Sequence, residues 1–318
     1  MQTRPDEDSA SETAVVAVNQ VPVSQHSSSS TADDYFQTVV ITSLLAILKD
    51  QSLNNHHHTV IEAIMSIFKT QGLKCVTFLP QVCFNQFQLL KRHLKLRQII
   101  PAFAAVTRGS AARLQEFHLQ QLAILIGIIK QHVRNYMPDV FSLIAELWEN
   151  ATLQLPIVAL IEALGKAVEA EFKPFLPSII PLILKVFDGE ITEKRINTQI
   201  KIFDAFLTFG SNIEEYLHLV IPIIVKSYER QESFERPEPI TALRKRAIQT
   251  VDGLSRRVNF SDHASRIIHP LVRVLEAPNN ELRMTVMDTL CSLVIQLGSD
   301  FAIFVPTINK VNIIDFAP

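Results

Sequence analysis

Phe175-Leu176-Pro177-Ser178-Ile179-Ile180-Pro181 opens with an aromatic-Leu-Pro phrase and continues into an apolar run. The phrase returns along the chain, with the proline replaced in some copies and with Val39 in the matching place upstream. The third positions of the copies are Val39, Pro80, Pro138, Pro177, His218, Arg266 and Pro306. Their spacings are 41, 58, 39, 41, 48 and 40 residues, a period that is typical of stacked helix pairs rather than of a closed globule.

The residues around each phrase predict where one helix pair ends and the next begins. Gly72, Gly210 and Gly298 each lie six residues before the aromatic position. Glycine takes the left-handed conformation at little cost just past a helix end, and proline is tolerated in the first turn of the next helix. Within one pair we therefore predict a first helix over residues 177–187 and a second helix over residues 191–209.

An arginine recurs near the start of the second helices. Arg195 and Arg283 lie 21 residues before the aromatic position, and Arg244 and Arg113 lie within one and two residues of that register. This pattern predicts a repeated polar contact between neighbouring repeats. A solvated surface arginine is the alternative at each position.

Composition divides the chain into three segments. Residues 1–32 are polar and poor in large apolar side chains, which predicts disorder. Residues 33–311 carry the helical repeat, and residues 312–318 form a tail that does not continue it. Removing residues 83–99, a block with four basic residues and no acid, restores the 58-residue step to 41, so we interpret this block as an insertion.

Charge and cysteine content exclude several classes of protein. A formal net charge of −2 does not favour a general nucleic-acid binder, which needs a strongly basic face. Three scattered cysteines predict a reduced, intracellular protein without a disulfide framework. The longest apolar run, residues 122–129, is far shorter than the ~20 residues that span a bilayer.

The sequence carries no signature of catalysis, so we predict no catalytic, cofactor-binding or metal-binding residue. No two glycines are close enough for a phosphate-binding loop. Adjacent histidines on a helix point about 100° apart, so His56-His57-His58 is expected to be a surface cluster rather than a metal site. Cys75 and Cys83 lack a partner pair at zinc spacing and are expected to pack, and Trp148 is expected in the core.

Three basic clusters stand out, and each is expected to be a solvated helix face, with acidic partners or phosphates as the alternative. They are Lys91 to Arg97, Arg244-Lys245-Arg246 and Arg256-Arg257.

The repeat form is similar to HEAT repeats, so the predicted fold is an all-α HEAT-repeat α-solenoid of about six helix pairs plus a half repeat. More specific stretches resemble the middle HEAT region of the target of rapamycin (TOR) serine/threonine protein kinase family. They are Asp50-Gln51-Ser52-Leu53, His56-His57-His58, Gly72-Leu73-Lys74-Cys75-Val76, Phe78-Leu79-Pro80-Gln81-Val82, Glu215-Tyr216-Leu217-His218-Leu219, Ala264-Ser265-Arg266-Ile267-Ile268-His269-Pro270 and Met287-Asp288-Thr289-Leu290. The resemblance runs from about Asp34 to Val311, is interrupted by residues 83–99, and indicates a fragment or a truncated form of a longer protein.

The resemblance implies a non-catalytic scaffold segment of a kinase of nutrient and growth signalling. The kinase domain, with its ATP and Mg²⁺, would lie outside these residues, so we expect no enzyme activity and no cofactor here. The implied partners are Raptor-like complex subunits and a second copy of the solenoid, with no nucleic acid and no membrane span. The implied location is the cytoplasm, with peripheral association at lysosomal or other endomembranes and in the nucleus. A HEAT scaffold of another class, a nuclear-transport receptor or a phosphatase scaffold subunit, is the alternative.

Overall fold

The computed structural model describes residues 30–78, 99–230, 237–276 and 281–314. The chain divides into two compact units, Met1–Val40 and Ile41–Pro318. The described part of the first unit, residues 30–40, is helical and exposes Phe36, Val39 and Val40. The second unit holds the repeat.

Every regular element in the described ranges is helical, as the sequence predicts. The α-helices are α1 Ser30–Lys49, α2 Asn54–Gln71, α3 Ile99–Gly109, α4 Ala112–Ile129, α5 Met137–Leu147, α6 Gln154–Val168, α7 Leu176–Leu184, α8 Glu193–Phe209, α9 Leu217–Tyr228, α10 Pro237–Ser255, α11 Ala264–Glu276, α12 Arg283–Leu297 and α13 Val305–Ile314. Odd-numbered helices are the first members of pairs and even-numbered helices the second members. The pairs α1/α2 to α11/α12 with α13 match the predicted six pairs and a half.

Two layers of helices build the second unit. Each second helix packs on the next along the series from α2 to α12, and the first helices also contact one another, for example α9 with α11. The buried apolar residues of both layers form one cluster from Ile41 to Phe304. Each repeat therefore packs against its neighbours, and the free energy of unfolding is approximately a sum of contributions from the interfaces between neighbouring repeats.

The pair α7/α8 shows how the sequence produces one repeat. Pro177 lies in the first turn of α7, where its missing N–H needs no partner, and a 3₁₀ turn extends the helix to Phe187. The Thr192 hydroxyl caps α8 by accepting from the backbone N–H of Arg195. Ile180 and Phe203 are fully buried between the layers, so the predicted helices and their inward faces are confirmed.

Five junctions between pairs share one backbone path, a seven-residue 3₁₀ segment that ends at the aromatic position. Each segment begins at a residue with positive φ. That residue is Gly72, Gly210 or Gly298 in three junctions, and Lys130 or Glu169 in the other two. The predicted positive φ is confirmed at the glycines, but ψ lies between −133° and −124°, outside the left-handed helical region that we expected.

The segment boundaries differ from the predicted ones by a few residues. Helix α1 begins at Ser30, three residues before the predicted start of the helical repeat at residue 33, and residues 1–29 lie outside the described ranges. Of the predicted insertion only Ile99 is described, and it is buried in α3. Helix α13 continues to Ile314, so the first three residues of the predicted tail are helical, and residues 315–318 are not described.

Candidate interaction surface

The exposed edges of the second helices carry an ion-pair network that starts at a buried carboxylate. Glu162 of α6 is buried, and its two oxygens bind Lys166 Nζ at 2.5 Å and Lys201 of α8. Burial alone would raise the pKa of Glu162, but the two lysines outweigh this effect and hold the pKa below its usual value. The carboxylate is therefore charged at neutral pH and ties α6 to α8.

The same network continues across the next two seams. Arg246 of α10 donates Nε to Asp204 of α8 at 2.7 Å. The Ser292 hydroxyl of α12 donates to Asp252 of α10 at 2.5 Å. The second helices from α6 to α12 are thus joined by polar side chains as well as by apolar packing. The linked positions lie one repeat apart, for example 39 residues from Glu162 to Lys201, so a search for opposite charges at one period could have predicted them.

The 3₁₀ junctions carry a second, more exposed series of ion pairs. Arg134 binds Glu171 at 2.6 Å, and Lys173 binds Glu215 at 2.7 Å. All four side chains are at least half exposed, so solvent screens each pair and each contributes little to stability. These pairs fix the relative position of neighbouring junctions more than they stabilise the fold.

Two of the arginines that the sequence singled out, Arg244 and Arg195, make contacts within their own pairs, in contrast to the predicted contact between repeats. Arg244 is buried and donates Nε to the carbonyl oxygen at the end of α9, its own first helix, at 3.0 Å. The guanidinium of Arg195 covers Gly189 in the turn of its own pair. Arg113 is exposed. Arg246, which we expected on a solvated helix face, does make a contact between repeats.

The histidine cluster is only partly a surface feature. His57 is buried, and its Nε2 lies 3.1 Å from the carbonyl oxygens of Ile47 and Asp50, which ties α2 to the end of α1. His58 packs against the ring of Phe117 with centroids 4.3 Å apart. The surface prediction is therefore wrong for His57, and its role is to hold the connection between two helices.

A second histidine, His118 of α4, is 1% exposed, and neither ring nitrogen has a hydrogen-bond partner. Burial, together with the nearby His58 and His57, lowers its pKa to about 4. His118 is therefore a neutral ring packed beside Phe103 and Phe117. Across the described ranges no three acidic, histidine or cysteine side chains are grouped as a metal site would require.

The remaining singled-out residues have structural roles. Trp148 is buried, as predicted. Cys75 is buried, its Sγ donates to the Gly72 carbonyl, and burial raises its pKa to about 11. Arg257 donates to the Leu207 carbonyl at 2.6 Å and so joins two repeats. Cys83 and the basic cluster from Lys91 to Arg97 lie outside the described residues.

A groove runs between α4 and α6, the second helices of the second and third pairs. Its cavity has a volume of about 800 Å³ and is lined by small side chains of both helices, by Leu73, and by Lys130 and Glu169. An adjoining cavity of about 720 Å³ lies between the ends of α6 and α8, and it shares Lys166 and Glu169 with the first. Both volumes fall in the range of sites that bind ligands or peptide segments.

Helix α12 exposes an apolar stripe that includes Met284 and Ile295, the latter 84% exposed. One stretch, Arg283–Lys310, meets the length and composition of a membrane span, which our longest-run criterion missed. It is not one straight α-helix, because α12 ends at Leu297 and the chain turns at Gly298 with positive φ.

The chain is similar to known proteins along most of its length. A family model described as the serine/threonine-protein kinase mTOR domain matches residues 1–95 and 83–130. The chain is 42% identical to the serine/threonine-protein kinase tor1 of Schizosaccharomyces pombe over 83% of its length. It is 37% identical to mTor of Drosophila melanogaster over 84%, and 34% identical to TOR of Arabidopsis thaliana over 93%. It spans only 10–11% of these relatives.

A crystal structure of importin beta has the same fold, with a TM-score of 0.51, 11% identity, and coverage of 90% of this chain and 36% of that chain. This likeness concerns the fold alone. The matched portion of the kinases is a small part outside their kinase domain, and every regular element among the described residues is helical, so the described part of the chain holds no kinase domain. The family model begins at residue 1, which corrects our expectation that the resemblance starts near Asp34, and its two matches overlap within the predicted insertion.

Proposed function

Because the chain belongs to the target of rapamycin family of serine/threonine kinases, as a helical-repeat segment outside the kinase domain, we propose that it is a scaffold. In this role it supports self-association of the kinase and the binding of further subunits. The proposal takes the cytoplasm as its place of action, with peripheral association at endomembranes and in the nucleus. It assigns the chain no cofactor, since ATP and Mg²⁺ belong to the kinase domain.

The observation that carries this proposal is the continuous stack of second helices. Glu162 with Lys201 and Asp204 with Arg246 fix the spacing of three successive helices, so their exposed edges keep a constant relation to one another. A fixed surface of this kind loses little conformational freedom when a partner binds, which favours affinity. Its cavities are grooves between helices, which suits a protein segment better than a small substrate.

Two measurements test the scaffold role on the purified chain. Immobilised chain should retain a Raptor-like subunit from a purified mixture, and sedimentation velocity should show self-association as the concentration rises. An unrelated HEAT array of similar length is the control for both. Retention and self-association no greater than those of the control would contradict the proposal. An ATP titration by calorimetry should give no heat of binding, and a measurable affinity would contradict the assignment of no cofactor.

A further inference from the structure

The groove between α4 and α6 has free space beside a glycine of a second helix. A methyl group added at Gly127 of α4 would meet nothing within 4 Å. The corresponding addition at Gly165 of α6 would lie 3.3 Å from Thr208, and at Gly253 of α10 it would lie 2.5 Å from Leu207. All three glycines lie near the ends of second helices, but of the three only Gly127 is exposed and has no atom close to an added methyl group.

The floor and wall of this groove are apolar. Ala159, Ala163 and Ala167 follow one another at intervals of four residues along α6 and line the cavity. Ile124 of α4 and Leu73 of the preceding junction also line it, and both are exposed. Large exposed apolar side chains beside a small-residue floor provide space and contact for an apolar side chain from outside.

Two charged residues on the rim have no counter-ion in the described part of the chain, Lys130 and Glu169. The other charges there are already matched, because Glu162 binds Lys166 and Lys201, and Arg134 binds Glu171. Among the residues that the structure describes, the rim therefore offers one cation and one anion without a counter-ion.

The same two residues hold the junction position at which three other repeats have glycine. Lys130 has φ 50° and Glu169 has φ 48°, in a region that side chains with a Cβ disfavour. Glycine would satisfy the fold here at lower conformational cost. Within the described ranges, charged side chains thus take this position at two of the three junctions that line the groove, and Gly72 takes it at the third.

From these observations we propose that the groove binds an extended or helical segment of a partner protein with an apolar anchor flanked by one acidic and one basic residue. The anchor packs on the alanine floor beside Ile124, the acidic residue pairs with Lys130, and the basic residue pairs with Glu169. The charge complementarity of the rim selects this occupant over a purely apolar one. The inference rests on the proposed scaffold role and gives that role a defined partner chemistry.

The test is a phage-display selection, in which random 12-residue peptides are selected for binding to the immobilised chain. We expect enrichment of peptides with an apolar residue between an acid and a base in a constant order. Fluorescence anisotropy with the enriched peptide should show at least tenfold weaker binding for Gly127→Leu and for Ala163→Trp, which fill the groove from opposite sides. The double reversal Lys130→Glu with Glu169→Lys should weaken binding similarly and should instead favour a peptide with the two charges exchanged.

Controls separate a binding role from a structural one. Lys185→Glu, an exposed lysine in the other layer, should leave the affinity unchanged. Lys130→Gly with Glu169→Gly should raise the melting temperature yet weaken binding, a combination that a purely structural role does not produce.

No enrichment of such peptides, or peptides that bind the Gly127→Leu variant as well as the wild type, would overturn the inference. If Gly127→Leu abolishes self-association, the occupant is a second copy and the proposed partner is wrong. If the Gly127→Leu and Ala163→Trp variants still retain the Raptor-like subunit, the groove proposal can fail while the scaffold role stands.

Discussion

Helix α6 has two different seams. Toward α8, Gly165 packs against Thr208, and the buried Glu162 is bridged to Lys201. Toward α4, Gly127 faces open space, and no hydrogen bond or ion pair joins the side chains of the two helices in the described residues. Neighbouring seams of one solenoid can therefore differ widely, because each contributes its own term to stability.

The difference is greatest for a bulky residue at the two glycines. Gly165→Leu should lower the free energy of unfolding by about 3 kcal/mol, because its side chain must displace Thr208 and Phe209. Gly127→Leu should instead raise it by about 0.5–1 kcal/mol, since leucine is a better helix former and meets free space. Thermal unfolding followed by circular dichroism measures both. Equal effects of the two substitutions would mean that the seams are packed alike.

The ion pairs that join α6 to α8 give the next largest effect on stability. Lys201→Met leaves the buried Glu162 with one lysine and should cost about 2 kcal/mol, since an under-compensated buried charge is expensive. Lys166→Met is the matched control, because Lys166 is 64% exposed and should contribute less than about 1 kcal/mol. Chemical denaturation of both variants at pH 7 tests this order. A larger loss for Lys166→Met would contradict the assignment of Lys201 as the main partner.

The two regions should also respond to acid at different pH. Because the pKa of His118 is lowered to about 4 from an ordinary value of 6.5, the unfolded chain binds the proton first. The stability that neutral His118 provides is complete above pH 6.5 and is lost as the pH falls toward 4. The pKa of Glu162 is lowered from 4.5, so the α6/α8 seam keeps its contribution until the pH falls below 4.5.

Hydrogen exchange at pH 7 and pH 5 should therefore show loss of protection in α2 and α4 before α6 and α8. His118→Leu removes two unpartnered buried nitrogens and should stabilise the chain by about 1–2 kcal/mol at pH 5, with a flatter pH profile. His132→Gln, at an exposed position, is the control and should leave the profile unchanged. Simultaneous loss of protection in both regions would argue against separate seams.

The sequence predicts the parts of this fold that depend on local chemistry. The period, the helix pairs and the positive φ at Gly210 follow from the aromatic-Leu-Pro phrase and from the conformational freedom of glycine. The family resemblance is recognisable from short stretches, some of which lie at the same junctions. These features involve residues close together in the chain, which is why a single sequence contains them.

The interaction surface was much less predictable. Glu162 is buried on an apolar helix, and the hydrophobic pattern of that helix alone does not identify Lys201 as its partner, which only a comparison of charges one repeat apart would indicate. The open space above Gly127 depends on the side chains of a helix in the next repeat. Lys130 and Glu169 stand where three other junctions have glycine, and only the structure of the backbone shows that they adopt the same positive φ.

The smallest expected effects concern those two junctions. Lys130→Gly and Glu169→Gly should each raise the free energy of unfolding by about 0.5–1 kcal/mol, because glycine relieves the positive φ. Gly210→Ala should lower it by about 1 kcal/mol for the opposite reason, although its methyl group would have room. Differential scanning calorimetry of the three variants gives the comparison.

The Gly210 junction separates conformational strain from side-chain contact. A methyl group there would meet only the Arg257 side chain, at 3.7 Å, an ordinary van der Waals distance, so any loss of stability must come from φ itself. If Lys130→Gly lowers the stability instead of raising it, the lysine makes a contact that outweighs its strained backbone. Lys130 would then stabilise the fold rather than serve binding, and the seam of α6 with α4 would differ from the seam of α6 with α8 only in side-chain packing.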